Sequence, residues 1–180
     1  MRTLKYAILG LINRHPSTGY DITKEFKAEL GNFWRARHSQ IYPELKRLVD
    51  EGLIEYETVI AGESLEKKVY SLKDKGREEL LEWLNKDEKM VPTAKDKFRL
   101  RMYFSSNIER EDLIELLESQ LRQRKEKLAT LKEKMDGYSE VPQFGSQEFG
   151  DYLVLESAIL REEAYVEWLE RSIKRCNQSS

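Results

Sequence analysis

The sequence predicts a mainly α-helical protein with one small β-hairpin, and three observations carry that prediction. Apolar residues recur at three- and four-residue steps through most of the chain, the spacing that gathers them on one face of a helix. One pair of alternating segments, LIEYETVI and LEKKVYSL, is separated by the turn residues AGES, as in two strands joined by a tight connection. Residues 108 to 135 contain neither proline nor glycine, which suits one long helix.

Composition sets the outer limits. The chain has 180 residues, 36% charged and 39% hydrophobic, enough to bury one or two modest cores. Two small domains, or one domain with an appendage, are expected. A net charge of -2 argues against a protein that coats nucleic acid or anionic membrane by bulk charge, so any nucleic-acid binding must come from a local patch. The longest uncharged apolar run, near YAILGLIN, falls well below the roughly 20 residues that cross a bilayer. Arg2 and Lys5 precede it, but no small-residue cleavage pattern follows, so neither a membrane span nor a secretion signal is expected. The single Cys176 has no partner for an internal disulfide, and the expected compartment is the reducing cytoplasm.

The first expected domain is residues 1–86. Leu4, Ala7, Ile8, Leu11 and Ile12 form one stripe of a first helix. Pro16 and Gly19 punctuate the chain, and Ser17 or Thr18 can cap a second helix with Tyr20 or Ile22, Phe26 and Leu30 along its stripe, closed by Gly31. In HSQIYPELKRLVDEGLIE, the apolar Ile41, Leu45, Leu48 and Val49 share one face of a third helix. Ser39, Pro43, Lys46, Arg47 and Asp50 lie opposite, with Gln40 and Tyr42 flanking them. Pro43 fits a first helical turn, whose amides have no intrahelical partner to lose, and an irregular start around Ser39 to Tyr42 is expected. Asp50 and Glu51 stand at the C-terminal end and Glu44 alone is acidic in the opening turns, leaving the N-terminal end open to an outside anion or to base edges. Gly52 ends this helix. The hairpin follows, with Ile54, Tyr56, Thr58 and Ile60 on one side of its first strand, then a helix through Leu80, Leu81, Trp83 and Leu84.

Three helices followed by a hairpin is the winged form of the helix-turn-helix, in which the third helix lays its N-terminal residues against base edges in the DNA major groove. Gln40 can pair with adenine, Lys46 and Arg47 can reach phosphate or guanine, and Tyr42 has the length and hydroxyl for a backbone contact. The same fragment also occurs in modules that bind only proteins. Residues 1–86 hold 15 Lys and Arg against 14 Asp and Glu, a weak surplus for a duplex binder, which a dimer presenting two copies would offset.

The runs LKYAILGLI, STGYDI, SQIYPELKRLVDEGLIE and LEKKVYSLKDKG resemble the PadR family of transcriptional regulators, and look closest to its phenolic-acid-responsive repressors. The resemblance spans almost the whole chain; its most specific part is S-x-I-Y-P-x-L-x-x-L-x-x-x-G-x-I, and Lys73 stands where the family commonly has threonine. It implies a homodimeric winged-helix regulator, usually a repressor, that binds dyad-symmetric double-stranded operators. Carried over by position, Tyr20, Ser39, Gln40, Tyr42 and Lys46 match helix-turn-helix positions that meet DNA, and Lys67 and Lys68 match the wing. Tyr20 packed under the second helix, and lysines that merely guard a hairpin edge, are the structural alternatives.

A polar linker, residues 87–93 with Pro92, precedes a second domain at 94–176. A short helix offers Phe98, Met102 and Tyr103, or Leu100 and Phe104. The long helix carries Leu113, Leu117, Leu121, Arg124, Leu128, Leu131 and Met135 at heptad-like steps, and a final helix carries Tyr152, Leu155, Ile159, Val166, Leu169 and Ile173, interrupted at Glu162. Such seams ask for a partner subunit, so dimerisation through these helices is expected. It would set two recognition helices about one duplex turn, roughly 34 Å, apart. A monomeric bundle folded on the winged domain is the alternative.

The resemblance further implies a small aromatic effector that lowers DNA affinity, such as the hydroxycinnamates p-coumarate or ferulate. A flat phenol with a carboxylate needs an apolar slot, a cation or amide donors at one end and a hydroxyl partner at the other. Tyr6, Phe33, Trp34, Tyr103, Tyr152 and Trp168, with Arg99, Arg101 or Lys5 as the cation, are candidates, and core packing accounts for them equally well. A regulator of a multidrug transporter answering other ligands, and a protein-interaction adaptor, are the competing functions. Enzyme chemistry is not expected: His15 and His38 lack metal-ligand spacing, and no nucleophile elbow, phosphate loop or cofactor motif is present.

Overall fold

The computed structural model describes residues 2–28, 34, 36–61, 65–90 and 95–178. The chain divides into two compact units, Met1–Val91 and Pro92–Ser180. In the first, α1 (Thr3–Arg14), β1 (Ser17–Thr18), α2 (Gly19–Lys27), α3 (His38–Asp50), β2 (Ile54–Ala61), β3 (Leu65–Leu72) and α4 (Asp74–Leu84) follow in order.

Their stripes converge on one core. Ile8, Leu9, Leu11 and Ile12 of α1, Ile22 and Phe26 of α2, and Ile41, Leu45 and Leu48 of α3 are buried with Leu53, Ile54, Tyr70 and Leu80. Each such side chain contributes about 1.5–3 kcal/mol on removal from water. Thr18 caps α2 reciprocally: its hydroxyl accepts from the Asp21 amide at 3.1 Å, and the Asp21 carboxylate accepts from the Thr18 amide at 3.0 Å. Leu30 and Gly31, expected to extend and close this helix, lie outside the described residues.

Helix α3 departs from expectation at its start. It is helical from His38, with Arg37 as the N-cap, so Pro43 falls in the second turn rather than the first. Gln40 explains the earlier start, because its side-chain oxygen accepts the Arg37 amide at 3.0 Å and organises the opening turn. Pro43 then leaves the Ser39 carbonyl without its usual amide donor four residues on. The far end closes on Gly52 at φ 71, where the Leu53 amide reaches Leu48 O and the Gly52 amide Val49 O, both at 2.9 Å, the pairing of a Schellman cap.

The sheet has three strands in the order β1-β3-β2, all pairings antiparallel. The sequence showed only the hairpin; a two-residue strand carries no readable period, and Ser17 and Thr18 join by pairing with Tyr70 and Val69. At α4 the N-cap is Lys73, which makes no side-chain cap, as a residue without an oxygen must. Gly76 brings this helix onto the backbone of Leu53, so close that a Cβ would stand 2.1 Å from the Leu53 carbonyl oxygen.

The second unit holds α5 (Lys97–Tyr103), a 3-10 turn (Ser105–Asn107), α6 (Arg110–Met135) and α7 (Gln147–Gln178). Asp96 caps α5, accepting from the Phe98 and Arg99 amides at 2.8 and 3.1 Å. The two long helices run antiparallel: Lys125 pairs with Glu170 and Lys132 with Glu163, each at 2.7 Å, so seven residues forward on α6 are seven back on α7. Leu117, Leu131, Ile159, Val166 and Leu169 are buried, and Leu113, Leu121, Leu128 and Leu155 are half-buried. The seams expected to face a partner subunit are thus largely spent within one chain, because each long helix covers the inner stripe of the other. Among the described residues no helix is long and apolar enough to cross a membrane.

Candidate nucleic-acid interface

With Ile41, Leu45 and Leu48 turned into the core, α3 presents Ser39, Gln40, Tyr42, Lys46 and Arg47 to solvent. Tyr20, in the first turn of α2, is 72% exposed, so it does not pack beneath that helix. The ring of Tyr42 lies over Gly19, where an added Cβ would stand 2.9 Å from the ring edge. The His38 ring is tilted against that of Tyr42, with centroids 4.6 Å apart. Glycine at the start of α2 therefore sets where the recognition-helix tyrosine can lie. Gln40 is exposed, but its carboxamide oxygen is already engaged with the Arg37 amide, and it must share or release that bond to read an adenine.

Acidic charge has been withdrawn from this face. Glu44 is only 4% exposed and is turned back to Arg2, whose Nη2 stands 2.8 Å from it, and to Arg47 at 3.5 Å. Arg2 also binds Glu51, and Lys5 pairs with Glu51 at 3.6 Å and with Glu79. The hydrogen bond from Arg2 holds the Glu51 carboxyl below the usual range, and Glu51 in turn pushes the Arg2 guanidinium up. These partners could not be read from sequence, because Arg2 and Glu44 are far apart in the chain and meet only when α1 packs on α3.

The wing separates two lysines that are neighbours in sequence. In register, Lys68 faces Thr58 and Lys67 faces Val59, and successive strand residues point to opposite faces. Lys68 shares its face with Tyr56 and Tyr70, and its ammonium stands 4.0 Å from the Tyr56 ring centroid. Lys67 is on the other face, where its charge helps hold down the Asp21 carboxyl after the larger effect of the Thr18 hydrogen bonds. Tyr56, not among the residues singled out from sequence, is partly exposed on this face, a place set by its pairing with Tyr70.

The candidate effector residues fall in both units. In the first unit, Tyr6 stacks on Trp83 with centroids 4.7 Å apart beside a hollow of about 220 Å³ lined also by Glu79, Glu82 and Lys86, while Lys5 is engaged by carboxylates and Trp34 is exposed. Phe33 lies outside the described residues. In the second unit, Tyr103 is exposed against Phe104, Tyr152 packs on Tyr138, and Trp168 lies between Phe98 and Tyr165. Arg99 is paired with Asp96 at 3.2 Å and Arg101 is exposed. Among the described residues no group of three His, Cys, Asp or Glu could hold a metal ion.

Comparison with known proteins places this geometry. Residues 8–82 match the Transcriptional regulator PadR-like family, and residues 94–177 match the family described as Virulence activator alpha C-term. The chain is 50% identical over 173 residues to the negative transcriptional regulator PadR of Bacillus subtilis (strain 168), covering 94% of this chain and 95% of that protein. The crystal structure of Bacillus subtilis PadR in complex with operator DNA matches at a TM-score of 0.93 and 48% identity, over 97% of this chain and 99% of that one. The same protein in complex with p-coumaric acid matches at 0.88 and 45% identity, over 98% and 100%. With its winged-helix unit and its helical unit each matched, the chain belongs to the PadR-like family of transcriptional regulators.

Proposed function

We propose that this chain is a dimeric transcriptional repressor that holds a dyad-symmetric operator through α3 and the wing and releases it on binding a hydroxycinnamic acid. The observation that carries the reading is the outward face of α3: Ser39, Gln40, Tyr42 and Lys46 stand clear of the core while the one acid of its opening turns, Glu44, is buried and neutralised. In this reading residues 1–86 read DNA, residues 94–176 dimerise and sense the effector, and 87–93 link them. Tyr42 and Lys46 meet the phosphate backbone, Gln40 reads a base edge, Ser39 and Tyr20 flank the groove, and Lys67 and Lys68 reach DNA from the wing. The protein acts beside DNA in the cytoplasm, with no cofactor.

Because α6 and α7 cover their inner stripes, the second copy is assigned to what they leave open. Leu113, Leu121, Leu128 and Leu155 retain part of their surface, and Leu153, Ser157, Leu160 and Ala164, at steps of four, three and four, form an exposed outer stripe on α7. The effector, a flat phenol with a carboxylate, is supported by the p-coumaric acid complex of the Bacillus subtilis relative; Tyr6, Trp34, Arg99, Tyr103 and Tyr152 remain its candidate contacts. Release requires that the effector prefer the arrangement with lower DNA affinity.

The test is fluorescence anisotropy with a duplex taken from upstream of the chain's own gene, titrated with and without p-coumarate. Tight, salt-sensitive binding weakened by p-coumarate is the expected result. Equal p-coumarate affinity for free and DNA-bound protein would remove the proposed coupling, and no binding to the duplex above non-specific DNA would remove the reading of that site as an operator.

A further inference from the structure

Lys68 is a long cation midway along the second strand of the wing, and such a side chain ordinarily samples many rotamers. Here it has a fixed resting place. Tyr56 and Lys68 are diagonal neighbours on one face of the hairpin, the former paired with Tyr70 and the latter with Thr58, a spacing that long side chains bridge. The ammonium lies 4.0 Å from the Tyr56 ring centroid, where the ring quadrupole attracts a cation. The Tyr56 ring in turn leans on Tyr70, with centroids 5.7 Å apart at 60°, and Tyr70 is part of the buried core. A chain of contact thus runs from the core through two rings to the cation. Its contact with Tyr56 raises the Lys68 ammonium above the ordinary lysine range.

We propose that Tyr56 is a positioning residue for operator binding: it docks Lys68 on one face of the wing, so that the ammonium meets a DNA phosphate already ordered. Lys67, one residue away on the opposite face, has no such support and does not substitute for it. The proposal rests on the reading that the wing meets DNA.

The experiment measures affinity of the full-length protein for the upstream duplex against salt concentration. Lys68→Met removes one phosphate contact and lowers the slope of log affinity against log salt by about 0.9. Tyr56→Leu leaves that slope unchanged, because the cation remains, and weakens binding about threefold through loss of the ring contact. Tyr56→Phe and Tyr56→Trp, which keep an aromatic face, retain most of the affinity and serve as folded controls. In the Lys68→Met background Tyr56→Leu has no further effect. A Tyr56→Leu loss that persists undiminished in that background, or no loss at all in an otherwise native chain, overturns the positioning role. Should Lys68→Met itself change neither affinity nor slope, the wing reading fails and takes the proposal with it.

Discussion

Arg124 and Glu162, the polar interruptions of two otherwise apolar stripes, meet each other: Arg124 Nη1 donates to both carboxylate oxygens, at 2.8 and 3.1 Å. Lys127 adds a second cation to Glu162 at 2.8 Å, and the Arg124 guanidinium lies 3.8 Å from the Tyr165 ring centroid. Tyr165 donates to Asp96 at 3.0 Å, which caps α5. A buried charge of this kind tolerates only one alignment of α6 on α7, since sliding either helix by a turn would bury Glu162 without a partner.

Glu162 is 0% exposed, so Glu162→Gln is expected to lower stability by about 2–4 kcal/mol, below the upper range for a broken buried pair because both cations reach solvent. Burial pushes the carboxyl up, but the hydrogen bonds from Lys127 and Arg124 outweigh it and hold it below the ordinary glutamate range. A depressed folded-state pKa contributes stability above the unfolded value, and that contribution is lost as pH falls through the folded value. Urea denaturation should show the native protein losing stability on acidification over that window while Glu162→Gln loses less; parallel pH curves would contradict it.

At the recognition helix, Lys46→Met is expected to weaken duplex binding uniformly across sequences and to lower the salt slope by about 0.9. Tyr42→Ala combined with Lys46→Ala should reduce affinity by an order of magnitude or more, taking about 1 kcal/mol for each charge-assisted or hydroxyl contact, with thermal unfolding little changed. Retained gel shifts in the double variant would favour an adaptor that uses the winged module without DNA.

Gly19→Ala separates position from chemistry. The added methyl meets Tyr42 at 2.9 Å and must turn the ring away, since α2 itself accepts alanine readily. DNA affinity should fall several-fold while the melting temperature moves little, and Gly19→Ala should add almost nothing in a Tyr42→Ala background.

For the second unit, Leu160→Glu on the outer stripe of α7 should shift the protein to a monomer in analytical ultracentrifugation with its helical circular dichroism intact, because this side chain is exposed in the single chain. Leu169→Glu, at a fully buried position, should instead unfold the helical pair. Dimer retained in the first case would move the interface elsewhere.

The helical order, the hairpin and the core-facing stripes were legible because each is a periodic signal: Ile41, Leu45 and Leu48 announce their face by spacing alone. The exposure of Lys46 followed from the opposite face of the same helix, and that of Tyr42 from the flank of that face. What sequence withheld depends on chain segments meeting in space. Gln40 capping Arg37 moved the start of α3, Arg2 reached across to bury Glu44, and the heptad-like leucines of α6 found their cover on α7, so periodicity identified the sticky stripes without saying which surface would take them. Alternation along β3 puts Lys67 and Lys68 on opposite faces from sequence alone, but which residues of β2 each would meet awaited the register.

The brief strand β1 has its own mechanical effect. By pairing Ser17 and Thr18 with β3, it stitches the wing to the junction of α1 and α2, so the hairpin cannot flap on its own hinge. A shift of β3 is therefore passed straight to the start of α2, so the hairpin and the second helix are tied by backbone pairing as well as by side-chain packing.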